Sequence, residues 1–369
     1  MKFLDLFAGI GVFHSGMEKA GHECVGYVEI DKFARASYQA IYKTEGLYTT
    51  NDIRTVRASE LPRSDVWCFG FPCQDISVAG KQKGFAGARS SLFFATTRLI
   101  RDLGEEDRPS YLVIENVKNL LSINGGFDFL KLQIELDEIG YDCEWDVLDT
   151  AEVLPQHRER VYIVGHLRGR GTRKIFPIIR NREQVDNGPN TVNTITARYG
   201  EAQGTGAYIA ESKPPKIVVN PHGFNKGGVK DISPTITAGS FKDNTFVASC
   251  LTPNRNSALI REATEKGYKE ANVGDSINIS QPNSKTRRGR IGAQKANTLT
   301  AGEVQATLTK EMRIRKLTPL ECWRLQGFTD DQFYKAAEVC SNSQLYKQAG
   351  NSVSVPVVYE IAKKLGFKE

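Results

Sequence analysis

Cys73 is the side chain in this sequence best placed to act as a nucleophile. It lies in the sequence GFPCQ (residues 70–74), directly after the apolar run Val66–Phe69. A run of β-branched and aromatic residues that stops at Gly and Pro indicates a buried strand that opens into a rigid turn. The alternative is that Cys73 is simply a small buried apolar residue. Other polar groups along the chain favour the interpretation of Cys73 as a nucleophile.

Glu115 and Asn116 directly follow the apolar run Tyr111–Ile114, and Arg158 and Arg160 directly precede another apolar run. Carboxyl ends of parallel strands meet at one edge of a sheet, so we expect Cys73 and Glu115 to share a pocket. Two arginines two positions apart point to one face of an extended segment. A thiol, a carboxyl and two guanidinium groups suit a polar aromatic ring better than a nicotinamide. Surface ion pairing is the other interpretation of the arginines.

A glycine-rich turn, DLFAGIG (residues 5–11), predicts a place where the backbone approaches a ligand. Glu29 closes the next strand, where a carboxylate accepts hydrogen bonds from ribose hydroxyls. Asp52 and Ile53 offer an acceptor for an adenine amine beside an apolar face. Acids at strand ends also serve as helix caps, and NAD would fit the same pattern, so an oxidoreductase stays open at this point.

The elements that must position these groups alternate between short apolar runs and helical patterns through residue 165. This alternation is typical of βαβ units and a parallel sheet. Asp31 is a predicted N-cap for a helix through Tyr42. Helices return after Lys316, and we expect the last one, from Val355 to Leu365, to pack against the first domain.

The charge is unevenly distributed along the chain. The segment from Arg168 to Lys316 has 25 Lys and Arg against 12 Asp and Glu, a balance of +13, whereas the whole chain has a net charge of +6. A basic segment of this size indicates a polyanionic partner. Gly, Asn and Thr are frequent here, and Thr-Ile or Thr-Leu units recur at 194–197, 235–238, 298–301 and 307–309. Strand propensity alone would also explain these units.

The remaining composition limits the class of protein. Seven cysteines without a CxxC pair indicate neither a disulfide framework nor a zinc site, so no metal is expected. No apolar stretch has the length of a membrane span, and Asp5 interrupts the start of the chain where a secretory signal would be apolar. We therefore expect a cytoplasmic protein with reduced thiols.

Taken together, the ordered motifs resemble those of the DNA (cytosine-5) methyltransferases of bacteria and phages. The resemblance covers the first part of the chain as far as QHRER (156–160) and the last part from RKLTPLEC (315–322) to QAGNSV (348–353). It implies a Rossmann-like α/β domain with a doubly wound sheet, residues 1–168 and 330–369. It also implies an inserted, loop-rich and partly β target-recognition domain, residues 169–329.

The resemblance implies a role for each candidate residue. Cys73 would add to carbon 6 of a cytosine flipped out of duplex DNA, and Glu115 would hydrogen-bond ring nitrogen 3. Arg160 would hold the carbonyl oxygen of the base, Arg158 would support the pocket or bind a phosphate, and Asn116 would orient Glu115 and Cys73. S-adenosylmethionine would donate the methyl group and leave as S-adenosylhomocysteine. Its predicted contacts are Phe7, Gly9, Gly11, Glu29, Ile30, Asp52, Ile53, Pro72, Asn351 and Ser352.

The resemblance also implies contacts with double-stranded DNA. The predicted contacts are Ser77, Lys81 and Arg89 in a glycine-rich basic loop, and the doublet Thr298 and Leu299. The extra Thr units are interpreted as duplicated recognition elements for more than one target sequence. We expect a monomer whose biological partner, if it has one, is a restriction endonuclease acting on the same site in a bacterial or phage-infected cell.

Three other functions are still compatible with the sequence. A catalytically inactive DNA-binding module would have lost one of the four reactive side chains, and all four are present. A tRNA-methylating relative is disfavoured by the large basic segment. An NAD enzyme is the least favoured, because it would not need the thiol.

Overall fold

The computed structural model describes residues 1–71, 91–178, 217–219, 228–230, 257–280, 286–300, 305–310 and 314–366. The helices and strands that it assigns are, in chain order, β1 (Lys2–Leu6), α1 (Val12–Lys19), β2 (Glu23–Val28), α2 (Lys32–Ile41), β3 (Tyr48–Thr50), β4 (Val66–Phe69), α3 (Ser91–Asp102), β5 (Tyr111–Val117), α4 (Phe127–Glu138), β6 (Tyr141–Asp149), β7 (Glu159–Leu167), β8 (Ile217–Val219), β9 (Gly228–Lys230), β10 (Ser257–Arg261), β11 (Tyr268–Asn272), β12 (Ser276–Asn278), β13 (Ile291–Gly292), β14 (Gln305–Leu308), β15 (Ile314–Lys316), α5 (Pro319–Arg324), α6 (Asp330–Val339), α7 (Asn342–Asn351) and α8 (Val355–Ala362).

The chain divides into two compact units. The first comprises Met1–Leu154, Arg158–Val185 and Gln326–Glu369, and the second comprises Pro155–His157 and Asp186–Leu325. Residues 169–178, which the family resemblance assigned to the second domain, pack with the first unit. Their backbone explains this, because the N–H groups of Ile175 and Phe176 donate to the carboxylate of Glu144 on β6.

The first unit contains a seven-stranded sheet in the order β3-β2-β1-β4-β5-β7-β6. Strands β1 to β5 pair in parallel, as the βαβ pattern predicts. Strand β7 is antiparallel to both of its neighbours, β5 and β6. The expectation of a parallel sheet is therefore correct for β1 to β5 and wrong for β7, because β7 follows β6 through a short connection without a crossover helix.

Central strands are buried on both faces of the sheet. All four residues of β4 are buried, which explains the uninterrupted apolar run before Gly70. One face packs against α3 and α4 through a core that includes Trp67, Phe93 and Leu132. The carboxyl ends of the parallel strands are thereby held at one edge, where short turns follow them.

Helix ends agree with the local sequence signals. The Asp31 carboxylate accepts from the N–H groups of Phe33 and Ala34, so the predicted N-cap of α2 is confirmed. The last helix, α8, packs against α1 as expected: the Cα of Gly16 lies so close to Val358 that a β-carbon there would be 2.5 Å from it. These helices place the C-terminal segment beside the glycine-rich turn.

The second unit is built from small antiparallel sheets in the part of the chain that the structure describes. β10 pairs with β11, and a four-stranded sheet has the order β13-β12-β14-β15. Apolar side chains of these strands form one core, which includes Ile260, Ile277 and Leu308. Helix α5 begins with a capping box between Thr318 and Glu321. Across the described ranges of both units, no helix combines the length and hydropathy that a bilayer span needs.

Candidate active site

A cavity of about 730 Å³ opens at the edge of the first unit where the parallel strands end. Its volume is in the range of small-molecule sites, about 300–1,000 Å³. Eleven of the predicted site residues line it: Phe7, Gly9, Glu29, Ile30, Asp52, Ile53, Glu115, Arg158, Arg160, Asn351 and Ser352. The fold therefore brings the two predicted groups of residues, one for a cofactor and one for a base, into a single cavity.

The turn after β1 exposes its backbone to this cavity. Phe7 has a φ of 54°, which a residue with a large side chain rarely adopts, and Gly9 has a φ of 57°. The N–H of Gly9 donates to Oε2 of Glu29 at 2.7 Å. A β-carbon on Gly9 would meet no atom within 4 Å, so this position faces open space. Gly9 thus leaves room for a ligand against the turn.

Gly11 serves a different purpose from the one predicted. It is the N-cap of α1 with a φ of 83°, and a β-carbon there would lie 2.3 Å from the ring of Tyr42. The hydroxyl of Tyr42 donates to the Gly11 carbonyl at 2.6 Å. Gly11 does not line the cavity, because its Cα faces the aromatic packing behind the turn.

Glu29 is a buried acid with a fixed orientation. Its Oε1 accepts from the N–H of Asp31 at 2.7 Å, and its Oε2 accepts from Gly9. Burial raises the pKa of Glu29 above its ordinary value, and these two backbone hydrogen bonds act in the opposite direction. Ile30, beside it, leaves 63% of its surface exposed and offers an apolar face to the cavity.

Asp52 lies at the same end of the cavity and is engaged by a residue that the sequence interpretation overlooked. Arg54 donates to both oxygens of Asp52, with Nη2 at 2.6 Å from Oδ2 and Nε at 2.9 Å from Oδ1. This contact lowers the pKa of Asp52. The expected acceptor for an amine is present, but it is shared with a neighbouring guanidinium.

Helix α7 closes another side of the cavity. Nζ of Lys347 lies 2.6 Å from Oδ2 of Asp31, and the amide of Gln348 donates to the carbonyl of Phe33 at 3.1 Å. Both contacts attach α7 to α2. Lys347 was not among the predicted residues, and the only sequence signal for it was its position directly before QAGNSV.

Glu115 and Arg160 form an ion pair at the other end of the cavity. Nε of Arg160 lies 3.0 Å from Oε1 of Glu115, and both side chains are largely buried. Arg160 is opposite Val117 in the β5–β7 pairing, so Glu115 is its diagonal neighbour on the same face. Glu115 was expected to follow its strand, but it lies within β5, because pairing with β7 extends β5 through Val117.

Arg158 fastens the end of α7 to this pair. Its Nη2 donates to the carbonyls of Gly350 and Ser352, and its N–H donates to Oδ1 of Asp149 at 2.8 Å. Arg158 is 3% exposed. Burial raises the pKa of Glu115 above its ordinary value, although the positive charges of Arg160 and Arg158 act against that rise. The Glu115 carboxyl is therefore subject to two opposing influences, its burial and the positive charges of the two arginines.

The backbone that leads to Cys73 is tied to this pair. The amide of Asn116, which is buried, donates to the carbonyl of Phe71 at 3.2 Å. A β-carbon on Gly70 would lie 2.9 Å from Oε2 of Glu115, so a side chain at position 70 would displace the Glu115 carboxylate. Cys73 and Pro72 lie outside the described residues, as do Ser77, Lys81 and Arg89.

Comparison with known protein families identifies the family to which this chain belongs. The model of the family described as C-5 cytosine-specific DNA methylase matches residues 1–366. The chain belongs to this family. It is a DNA cytosine methyltransferase, and the prediction from the sequence motifs is confirmed. The NAD enzyme, which the glycine-rich turn alone had left open, is wrong.

Curated relatives of this methylase cover nearly its whole length. The orphan methyltransferase M.SPRI of Bacillus phage SPR is 28% identical over 433 residues, which span 99% of this chain and 97% of that protein. The type II methyltransferase M.HhaI of Haemophilus parahaemolyticus is 29% identical over 379 residues, which span 100% and 96%.

Two solved structures of methyltransferases share the architecture of this chain. A putative DNA modification methyltransferase encoded within a prophage of E. coli is 20% identical and superposes with a TM-score of 0.59 over 99% of this chain and 98% of that chain. The Dnmt2 methyltransferase of S. pombe, 16% identical, gives a TM-score of 0.58 over 98% and 96%. The α/β fold predicted from the sequence, that of S-adenosylmethionine-dependent methyltransferases, is confirmed.

The chemistry of the residues that line the cavity of this methylase suits S-adenosylmethionine. Glu29 presents a carboxylate to hydroxyl groups, the exposed Ile30 and Phe7 present apolar surfaces to an aromatic ring, and Gly9 leaves space beside the backbone. Within the described ranges, no three His, Cys, Asp or Glu side chains group closely enough to hold a metal ion.

In the second unit, the doublet Thr298 and Leu299 is attached to the segment 155–157. Oγ1 of Thr298 donates to the carbonyl of His157 at 2.7 Å. The amide oxygen of Gln156, in the orientation that satisfies both of its polar atoms, accepts from the N–H of Leu299 at 3.1 Å. The Thr units at 194–197 and 235–238 lie outside the described residues.

Proposed function

We propose that this methylase flips a cytosine out of duplex DNA and methylates its carbon 5 through a covalent adduct with Cys73. The observation that carries the proposal is the buried ion pair of Glu115 with Arg160, beside Arg158 and next to the strand that leads to Cys73. Reaching carbon 5 requires extrusion of the base, which costs a few kcal/mol.

The proposed chemistry assigns one task to each side chain. The Cys73 thiolate bonds to carbon 6, and the π electrons of the carbon 5–carbon 6 double bond shift along the ring toward nitrogen 3. Glu115, whose pKa burial raises, is the proposed donor of the proton that ring nitrogen 3 takes up. Arg160 donates to the carbonyl oxygen of the base, and Asn116 fixes the backbone ahead of Cys73. Once carbon 5 has been methylated, loss of its proton and expulsion of the thiolate restore the carbon 5–carbon 6 double bond, and nitrogen 3 returns its proton to Glu115.

The other end of the cavity would hold S-adenosylmethionine. Glu29 would accept from the ribose hydroxyls, Asp52 and Ile53 would meet the adenine, and Phe7, Gly9, Ile30, Asn351 and Ser352 would complete the walls. When bound, this cofactor supplies an electrophilic methyl group on a sulfonium. Pro72 belongs to the same proposal on sequence grounds alone.

The proposed partner is double-stranded DNA, bound through the basic segment 169–329 together with Ser77, Lys81 and Arg89. Thr298 and Leu299 are the proposed doublet beside the flipped base. Because relatives are named as orphan or type II methyltransferases, we assign a protective role, with or without an endonuclease of the same target, to a monomer in a bacterial or phage-infected cell.

Trapping with 5-fluorocytosine tests the covalent step. Duplex DNA that carries this base at the target should form a stable adduct with the wild-type enzyme in the presence of S-adenosylmethionine, and Cys73→Ala should form none. Bisulfite sequencing of DNA from expressing cells identifies the target beforehand. An inactive binding module would bind this DNA without forming an adduct, and methyl transfer to tRNA in place of DNA would contradict the proposed substrate.

The same sequencing tests duplicated recognition. More than one methylated motif is expected, and deleting the Thr194 or Thr235 unit should remove one of them. A single motif that survives both deletions would contradict this part of the proposal.

A further inference from the structure

The second unit carries a loop of unusual charge, residues 286–290, with the sequence TRRGR, which we name the arginine loop. A buried carboxylate holds its backbone. Oε1 of Glu262 accepts from the N–H of Gly289 at 2.8 Å, and Oε2 accepts from the N–H of Arg290 at 3.1 Å. Gly289 has a φ of 68°, which allows the tight turn.

The other end of the arginine loop is fixed by backbone contacts. The N–H of Ala263 donates to the carbonyl of Arg287 at 3.0 Å, and Nε of Arg288 donates to the carbonyl of Ala263 at 3.0 Å. Arg290 is 4% exposed and donates to the carbonyls of Asn278 and Ser280. The loop is therefore held rigidly before any partner binds.

Positively charged side chains surround the Glu262 carboxylate. Burial and repulsion from Arg287 and Arg261 lower the pKa of Arg290, whereas Glu262 acts in the opposite direction. Arg261 and Arg288 are exposed, and Nε of Arg287 has no hydrogen-bond partner among the described residues. Positive charges held close together repel one another, and a bound anion offsets this repulsion.

We propose that the arginine loop and Arg261 form a binding site for backbone phosphates of duplex DNA. Guanidinium groups match the geometry of phosphate oxygens and can bind them with two parallel hydrogen bonds. A rigid loop holds its arginines at fixed spacing, so it would set the register of the unit on DNA without reading bases. The proposal rests on the proposed function, since it assumes that duplex DNA is the substrate.

The dependence of DNA binding on salt tests the site. Fluorescence anisotropy with labelled duplex DNA should show about tenfold weaker binding for Arg287→Gln/Arg288→Gln, and the slope of log affinity against log salt should fall by about 1.8, or 0.9 for each lost phosphate contact. The control Lys43→Gln/Lys131→Gln removes two exposed charges from the first unit and should leave both quantities near those of the wild type.

Glu262→Gln separates a positioned loop from general charge. This change makes the unit more positive, so diffuse electrostatic attraction would strengthen DNA binding. A loop that depends on the Glu262 carboxylate would instead bind several-fold more weakly. Far-ultraviolet circular dichroism checks that the variant is folded; if it is not, the two arginine variants decide the matter alone.

The outcomes distinguish this site from the proposed function. If the wild type forms the 5-fluorocytosine adduct but the arginine variant binds DNA like the lysine control, the phosphate site is wrong and the function stands. If the wild type neither binds duplex DNA nor forms the adduct, the function itself fails. Stronger binding of RNA than of DNA would also overturn the site.

Discussion

Nζ of Lys347 on α7 lies 2.6 Å from Oδ2 of Asp31, which caps α2 with its other oxygen. The N–H of Asp31 in turn donates to Glu29. One aspartate therefore connects a helix end, a cavity acid and a helix that comes from the far end of the chain. The arrangement makes the orientation of Glu29 sensitive to where α7 sits.

Lys347→Met should weaken the binding of S-adenosylmethionine by about two- to fivefold, because a partly exposed ion pair contributes about 0.2–1 kcal/mol. Isothermal titration calorimetry measures this loss, with Lys43→Met as the control. Asp31→Asn keeps the helix cap and removes the charge. If the double variant shows the sum of the two single losses, the pair does not act as a unit.

Glu115→Gln should lower the single-turnover rate of methyl transfer by about a hundredfold, since an amide cannot supply a proton. Burial raises the pKa of Glu115, so the wild-type rate should fall as pH rises through that pKa and the carboxyl loses its proton. The variant should lack this fall. Glu159→Gln, at an exposed acid on the neighbouring strand β7, is the control. A variant that keeps the wild-type pH profile would assign the proton to another group.

Two glycines of one turn should respond differently to the same change. Both have positive φ, so alanine costs about 1 kcal/mol of stability at either position. Gly11→Ala should cost considerably more, because its β-carbon would overlap the ring of Tyr42, whereas Gly9→Ala should mainly weaken cofactor binding by projecting into the cavity. Thermal unfolding and calorimetry measure the two effects. Equal losses of stability with unchanged affinity at Gly9 would contradict the described turn.

Arg158→Lys should destabilise the fold by about 2 kcal/mol, because the shorter lysine side chain does not bring its ammonium to the position from which Nη2 bonds the Gly350 and Ser352 carbonyls, and a buried acceptor is left unpaired. The melting temperature measures this. Arg168→Lys, at an exposed ion pair with Asp137 and Asp142, should change stability by less than about 0.5 kcal/mol. Similar shifts for the two variants would contradict the role of Arg158.

Local signals in the sequence gave reliable predictions. The cap at Asp31 and the buried strand before Gly70 depend on a few adjacent residues, and both are found. The cavity residues that follow β1, β2, β3 and β4 also follow from the rule that parallel strands end at one edge.

Other features depend on contacts that no local pattern encodes. The apolar run of β7 is the same whether the strand runs parallel or antiparallel, so its direction could not be read. Pairing with β7 also extended β5 past Glu115. The two glycines of the turn look alike in the sequence, and only the position of Tyr42 separates them. The roles of Cys73 and of the other site residues stay predictions.

Helices α7 and α8 join the glycine-rich turn of the first residues to the last part of the chain. Arg158 is held by carbonyls of residues 350 and 352, and α1 is packed against Val358. During synthesis, the donor cavity therefore cannot close until the ribosome has passed residue 358, well after the sheet has been translated. A nascent or prematurely terminated copy of this methylase would be unable to methylate DNA.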